Sequence, residues 1–142
     1  MIMKSKLGKL RLIQSVYILT IPLFVWISES VCGRGSNDWT LWHWVMAGLA
    51  LWAVLGGFRI RRRLICRSEE ALAKDASNPR ALRQWQVGFI VGMVFAEAIV
   101  LYGVIVRMVI GGALWQASLF YAVGLLLMLL WTPRMPTTPA SN

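Results

Sequence analysis

The stretch from Val87 to Val106, VGFIVGMVFAEAIVLYGVIV, is apolar from end to end except for one carboxylate, Glu97, near its middle. Its roughly 20 residues rise about 1.5 Å each and so span about 30 Å, the thickness of a bilayer's hydrocarbon core. An acid at that depth costs about 2.5–3.5 kcal/mol on the insertion scale. Glu97 therefore needs a partner, a proton or a task. No Lys or Arg lies within the apolar stretches at its depth. We expect a neutral acid that faces other helices and bonds at least one of Thr20, Ser118 and Tyr121. Tyr102, one and a half turns on, is a poorer candidate.

Three further apolar stretches accompany it, giving spans over about 12–30, 39–58, 84–107 and 112–131. The composition agrees: 58% of the 142 residues are hydrophobic and the mean hydropathy is +0.62. A soluble domain holds roughly 45–50% apolar residues. None of the stretches alternates with a period of two, which argues against a barrel. The fold class expected is all-α, a polytopic membrane protein with four transmembrane helices in two hairpins. Around the spans lie a basic leader (1–11), a cytoplasmic link (59–82) and a disordered tail (132–142) containing Pro133, Pro136 and Pro139. The leader and first span also look like a signal peptide. The apolar run is long for one, where about 7–15 residues are usual.

Charge sets the orientation. Of the 15 Lys and Arg residues, only Arg34 and Arg107 fall on the far side of the spans. Basic residues collect in the cytoplasm, so both termini and the middle link belong there, in a multi-pass protein of a bacterial inner membrane. Cys32 then lies outside and Cys66 inside, too far apart for a disulfide. Arg107 can snorkel outward. Trp26, Trp39, Trp42, Trp44 and Trp115 mark the outer interface, and Trp85 and Trp131 the inner one. His43 stands alone at the outer interface and reads as a solvated group rather than a metal ligand.

Arg59, Arg61, Arg62 and Arg63 form a juxtamembrane cluster suited to anionic lipid headgroups, at about 1 kcal/mol per basic residue. No aromatic residues are interleaved with them, which excludes a nucleic-acid site. Residues 67–76 have helical composition. Ser77-Asn78-Pro79 should end that helix and cap the next. Gly111-Gly112 should supply the outer turn.

The segment Phe95 to Val106 resembles the carboxylate helix of the rotary ATPase proteolipid, subunit c. In that family an Ala-Glu pair is followed by apolar residues, then Tyr-Gly and a Val/Ile run. The approach through Ala76-Ser77-Asn78-Pro79 is similar to its polar loop. The resemblance covers about a quarter of the chain and implies that Glu97 carries a proton with Tyr102 as its hydrogen-bonding neighbour. Ala98 stands where sodium-binding members have Ser or Thr, which disfavours a sodium site. The second span lacks the family's glycine ladder.

On a helical projection Gly88, Gly92, Ala96 and Gly103 share one narrow stripe, and Gly88-x-x-x-Gly92 permits close helix approach. Glu97 lies off that stripe. No nucleophile–base pair is assembled and no cofactor is implied, so an enzyme is not expected. Two functions stay open. One is a non-enzymatic accessory or assembly component that meets the bilayer, other membrane subunits or its own copies. The other is a proton-coupled component.

Overall fold

A computed structural model describes residues 2–33, 35–75 and 77–133, with side chains from Leu7 onward. Arg34, Ala76 and the tail from Arg134, for which disorder was expected, lie outside the described residues. The described residues form four helices: α1 (Ile2–Val31), α2 (Leu41–Lys74), α3 (Pro79–Met108) and α4 (Leu114–Leu130). Three of them, α1, α2 and α3, are long and apolar enough to cross a membrane. The fourth is apolar apart from Gln116 and Ser118 near its start, but has only 17 residues.

The start of α3 follows local chemistry. Asn78 accepts hydrogen bonds from the backbone N–H of Arg80 (3.1 Å) and Ala81 (3.2 Å), and Pro79 occupies the first turn, where its missing N–H costs nothing. The turn before it is tied by Asp75, whose carboxylate accepts from Ser77 N–H and hydroxyl at 2.9 and 2.7 Å. Those two bonds hold its carboxyl below the ordinary range. On the opposite end, Gly111 adopts φ +75°, a left-handed conformation that glycine takes freely. Ser36 pairs with this turn, its N–H donating to Gly111 O at 2.9 Å and its carbonyl accepting from Ala113 N–H at 3.0 Å.

One expectation is corrected in the link. Residues 67–74 are helical, yet not as a separate helix: α2 continues unbroken from Leu41 through the arginines to Lys74. Its 34 residues extend about 51 Å, well beyond one hydrocarbon core. Basic side chains do not end a helix, and the apolar run passes into the arginine cluster without a break. Leu72 and Ile65 of this extension pack with Leu82, Trp85 and Phe89 of α3 and with Leu7 and Leu10 of α1, so the extension has its own apolar core.

The helices run up and down around α3. Antiparallel α2 meets it along Ile65–Gly88, Gly57–Phe95 and Ala50–Ile99, and antiparallel α4 along Gly103–Tyr121 and Val100–Gly124. Helix α1 docks on α3 and α4 and shares only its first turns with α2. The α2–α3 pair is thus the most extensive helical hairpin, more so than α1–α2. Tryptophans Trp26, Trp42 and Trp44 are exposed near one end of the bundle, while Trp39 stacks with His43, Trp44 and Trp115. Trp85 and Trp131 are buried, at 0% and 5% exposure, and serve as core rather than as an interfacial belt.

Candidate functional site

Glu97 sits half-buried on α3, with the Thr20 hydroxyl of α1 as a polar neighbour. Thr20 donates its single proton to the Tyr17 carbonyl at 2.6 Å. What it then offers a carboxyl is a lone pair, which only a protonated Glu97 could use as donor. The other two expected partners are engaged elsewhere. Ser118 is exposed and donates to the Trp115 carbonyl at 2.7 Å. Buried Tyr121 places its hydroxyl 3.3 Å from that of Ser28. Tyr102 packs against the cluster of Ala50, Ala53 and Ile99, about 140° around α3 from Glu97. The structure therefore does not bring Tyr102 to the carboxyl.

The small-residue stripe divides between two neighbours. A Cβ on Gly88 would meet Ile65 at 2.9 Å, and one on Gly103 would meet Tyr121 at 2.6 Å and Ala117 O at 3.0 Å. Gly92 lies at the junction, against Arg61 and Trp131. Ala96 is fully buried with its carbonyl facing Gly124. Close approach also relies on two glycines from the facing helices: Gly57 against Phe95 and Gly124 against Val100.

The strongest polar centre is one that the sequence did not reveal. Arg107 is buried instead of snorkelling outward. Its Nε donates to Glu29 Oε1 at 2.6 Å and its Nη2 to Oε2 at 3.0 Å, a two-pronged pair with α1. The same guanidinium donates to the carbonyls of Gly33 and Gly112, each at 3.0 Å. One side chain thus joins the end of α1, the loop after it and the α3–α4 turn. Opposite charges predicted at one depth, on spans one and three, were the available signal.

With Gln14 the pattern becomes general. Buried Gln14 of α1 donates to Met128 O at 2.7 Å and to the Thr132 hydroxyl at 3.2 Å. Helix α1 is therefore fastened by polar contacts at three depths: Gln14 at one end, Thr20 beside Glu97, and Ser28 with Glu29 at the other. Lipid tails are as apolar as leucine, so burial alone gives helices little reason to associate in a membrane, and such contacts matter more there.

Two further expectations are corrected. His43 is buried, at 2% exposure. Its Nδ1 accepts from the Thr40 N–H at 3.1 Å, so the ring tops α2 from inside the bundle. Arg61 does not stand with the other arginines. Its guanidinium lies 5.1 Å from the Phe89 ring centre and 5.5 Å from that of Trp131, a cation–π sandwich. Arg59, Arg62 and Arg63 are exposed, and with Phe58, Cys66 and Arg67 they line an open recess of about 450 Å³. Among the described residues no three of His, Cys, Asp and Glu come together as metal ligands. Comparison with protein-family models, with curated proteins and with solved structures finds no match to this chain.

Proposed function

We propose that this chain is a multi-pass protein of the bacterial inner membrane with four transmembrane helices, both termini and the α2–α3 tip in the cytoplasm. In this reading it is a non-enzymatic accessory or assembly component, and Glu97 fixes α1 against α3. The observation that carries it is the apolar skirt around the bundle. Leu12, Leu19 and Leu23 of α1, Leu51, Trp52 and Leu55 of α2, and Leu126 and Leu130 of α4 all stand exposed. A surface of that extent needs lipid or protein to cover it. The fastening of α1 at three depths supports a packing role for the carboxyl.

A second reading, a proton-coupled component with Glu97 as carrier, draws on the half-buried setting of that carboxyl and on the resemblance of its helix to the proteolipid. Replacement separates the two. A packing role predicts that Glu97→Gln, which keeps a polar group beside Thr20, leaves the unfolding midpoint in micelles near that of the parent, whereas Glu97→Leu lowers it. In proteoliposomes neither variant should alter proton flux. Flux that Glu97→Gln abolishes and Glu97→Asp partly keeps would establish the second reading instead. Dicyclohexylcarbodiimide, which attacks protonated buried acids, should give an adduct at Glu97 at neutral pH.

A further inference from the structure

Two depressions lie along successive lengths of α2. The first is an apolar groove of about 270 Å³ between α2 and α4, with Ala47, Leu51 and Val54 on one wall, Phe120 and Val123 on the other, and Ile99 as its floor. The second is the basic recess, which begins at Phe58 and continues through Arg59, Arg62 and Arg63. Ala47, Leu51, Val54, Phe58 and Arg62 follow one another at three- and four-residue steps, so they form one stripe of the helix. From Leu51 to Arg62 is eleven residues, about 16 Å along the axis. Half of a roughly 30 Å hydrocarbon core is about 15 Å. The stripe is therefore as long as one leaflet is deep, apolar at the bilayer's centre and cationic at its surface.

We propose that the groove and the recess are the two halves of one site, and that it retains a single anionic glycerophospholipid. Its phosphate lies between Arg59 and Arg62, with Arg63 beside them. One acyl chain runs past Phe58 and Val54 into the groove. Charge selects the occupant. The recess carries four arginines, Arg67 included, and no acid lines it. None of them forms an ion pair among the described residues. The apolar groove excludes a free anion as the whole occupant, and the arginines disfavour a zwitterionic lipid whose headgroup brings its own cation. This goes further than attraction to the surface of a bilayer, because a lipid with its chain in the groove exchanges slowly and counts one per chain. It rests on the membrane reading above. The two fail separately: fractionation of cells tests the bilayer, and the following measurement tests the site.

The full chain, purified in micelles, is titrated with phosphatidylglycerol and separately with phosphatidylcholine of the same chains, and bound lipid is counted by native mass spectrometry. One phosphatidylglycerol per chain is expected, with phosphatidylcholine far weaker. Arg59 and Arg62 are exposed, so Arg59→Gln with Arg62→Gln should leave the fold intact. It should weaken phosphatidylglycerol by roughly thirty-fold, two residues at about 1 kcal/mol each, and leave phosphatidylcholine unchanged. Ala47→Phe and Val123→Phe fill the groove from opposite walls and should each reduce retention of both lipids, with circular dichroism confirming unchanged helicity. Equal retention of the two lipids would overturn the proposal. So would groove-filled variants that bind as the parent does, or full competition by soluble glycerol phosphate, since each would leave only a charged surface.

Discussion

Removing Arg107 should be the most damaging single change at the polar end of the bundle, and its cost can be worked from the contacts. Arg107→Ala deletes four hydrogen bonds: two to Glu29 and one each to Gly33 O and Gly112 O. Breaking a buried ion pair by removing one partner costs about 3–5 kcal/mol when the other charge stays buried. Here that figure needs a discount. Arg107 is 6% exposed but Glu29 is 34% exposed, so water can reach the orphaned carboxylate. The Gly112 carbonyl is less fortunate. It belongs to a buried residue, and an unsatisfied acceptor costs about 1–3 kcal/mol. About 3 kcal/mol is the expected total. Glu29→Gln keeps one acceptor but leaves the buried guanidinium without its counter-charge, and should cost about 2 kcal/mol. Their double variant should fall short of the sum by about 1–2 kcal/mol, the coupling of a two-pronged pair. Unfolding in mixed micelles, followed by tryptophan fluorescence, measures each corner of this cycle. Additivity within about 0.5 kcal/mol, the scatter of independent sites, would mean that the two residues do not act on each other. Arg107→Lys is a useful control. It keeps the charge, loses the fork and the carbonyl contacts, and should recover less than half of the loss.

Other consequences are as readily tested. Gly103→Ala would set a Cβ against the Tyr121 ring and the Ala117 carbonyl, and should destabilise by about 1–3 kcal/mol; Gly48→Ala, which meets nothing within 4 Å, should stabilise by up to about 1 kcal/mol in the same unfolding assay. Asn78→Ala removes the side chain that caps α3 and should cost about 1 kcal/mol, seen as faster hydrogen exchange at Arg80 and Ala81. An impermeant thiol reagent on intact cells should modify Cys32 and spare Cys66. Cys32 is partly buried, with its thiol 3.5 Å from the Arg107 carbonyl, so its labelling should be slow and should quicken in Arg107→Ala. Labelling of Cys66 alone would invert the proposed orientation.

Much of the helical frame was legible because its signals are local. Long apolar runs, Asn78 before Pro79, and Gly111 at a turn each act on the residues beside them. The arginine cluster shows the limit. Arg61 and Arg62 are adjacent in sequence but point about 100° apart on a helix, so one enters an aromatic sandwich and the other stays exposed. Composition cannot make that distinction; helical phase against α3 could. His43 was misplaced for the same reason. It shares the α3-facing side of α2 with Ala50 and Gly57, at seven-residue steps, and is buried with them. Glu29 and Arg107 are 78 residues apart, and nothing local links them. For Glu97 the sequence offered a short inventory of hydroxyls, but not the rotation that turns Ser118 and Tyr121 to other partners.

The polar fastenings of α1 also impose an order on biosynthesis. The contacts of Gln14, Thr20, Ser28 and Glu29 with other helices are all made with α3 and α4, which are translated after α2. At roughly 5–20 residues per second, the 78 residues between Glu29 and Arg107 take about 4–16 s to make. In the proposed membrane setting the nascent α1 waits for that interval beside α2, which among the described residues supplies partners for none of these side chains. A chain halted after α2 would display the same unpaired groups indefinitely, and so would carry a signature of incompleteness that surveillance proteases in the membrane could read.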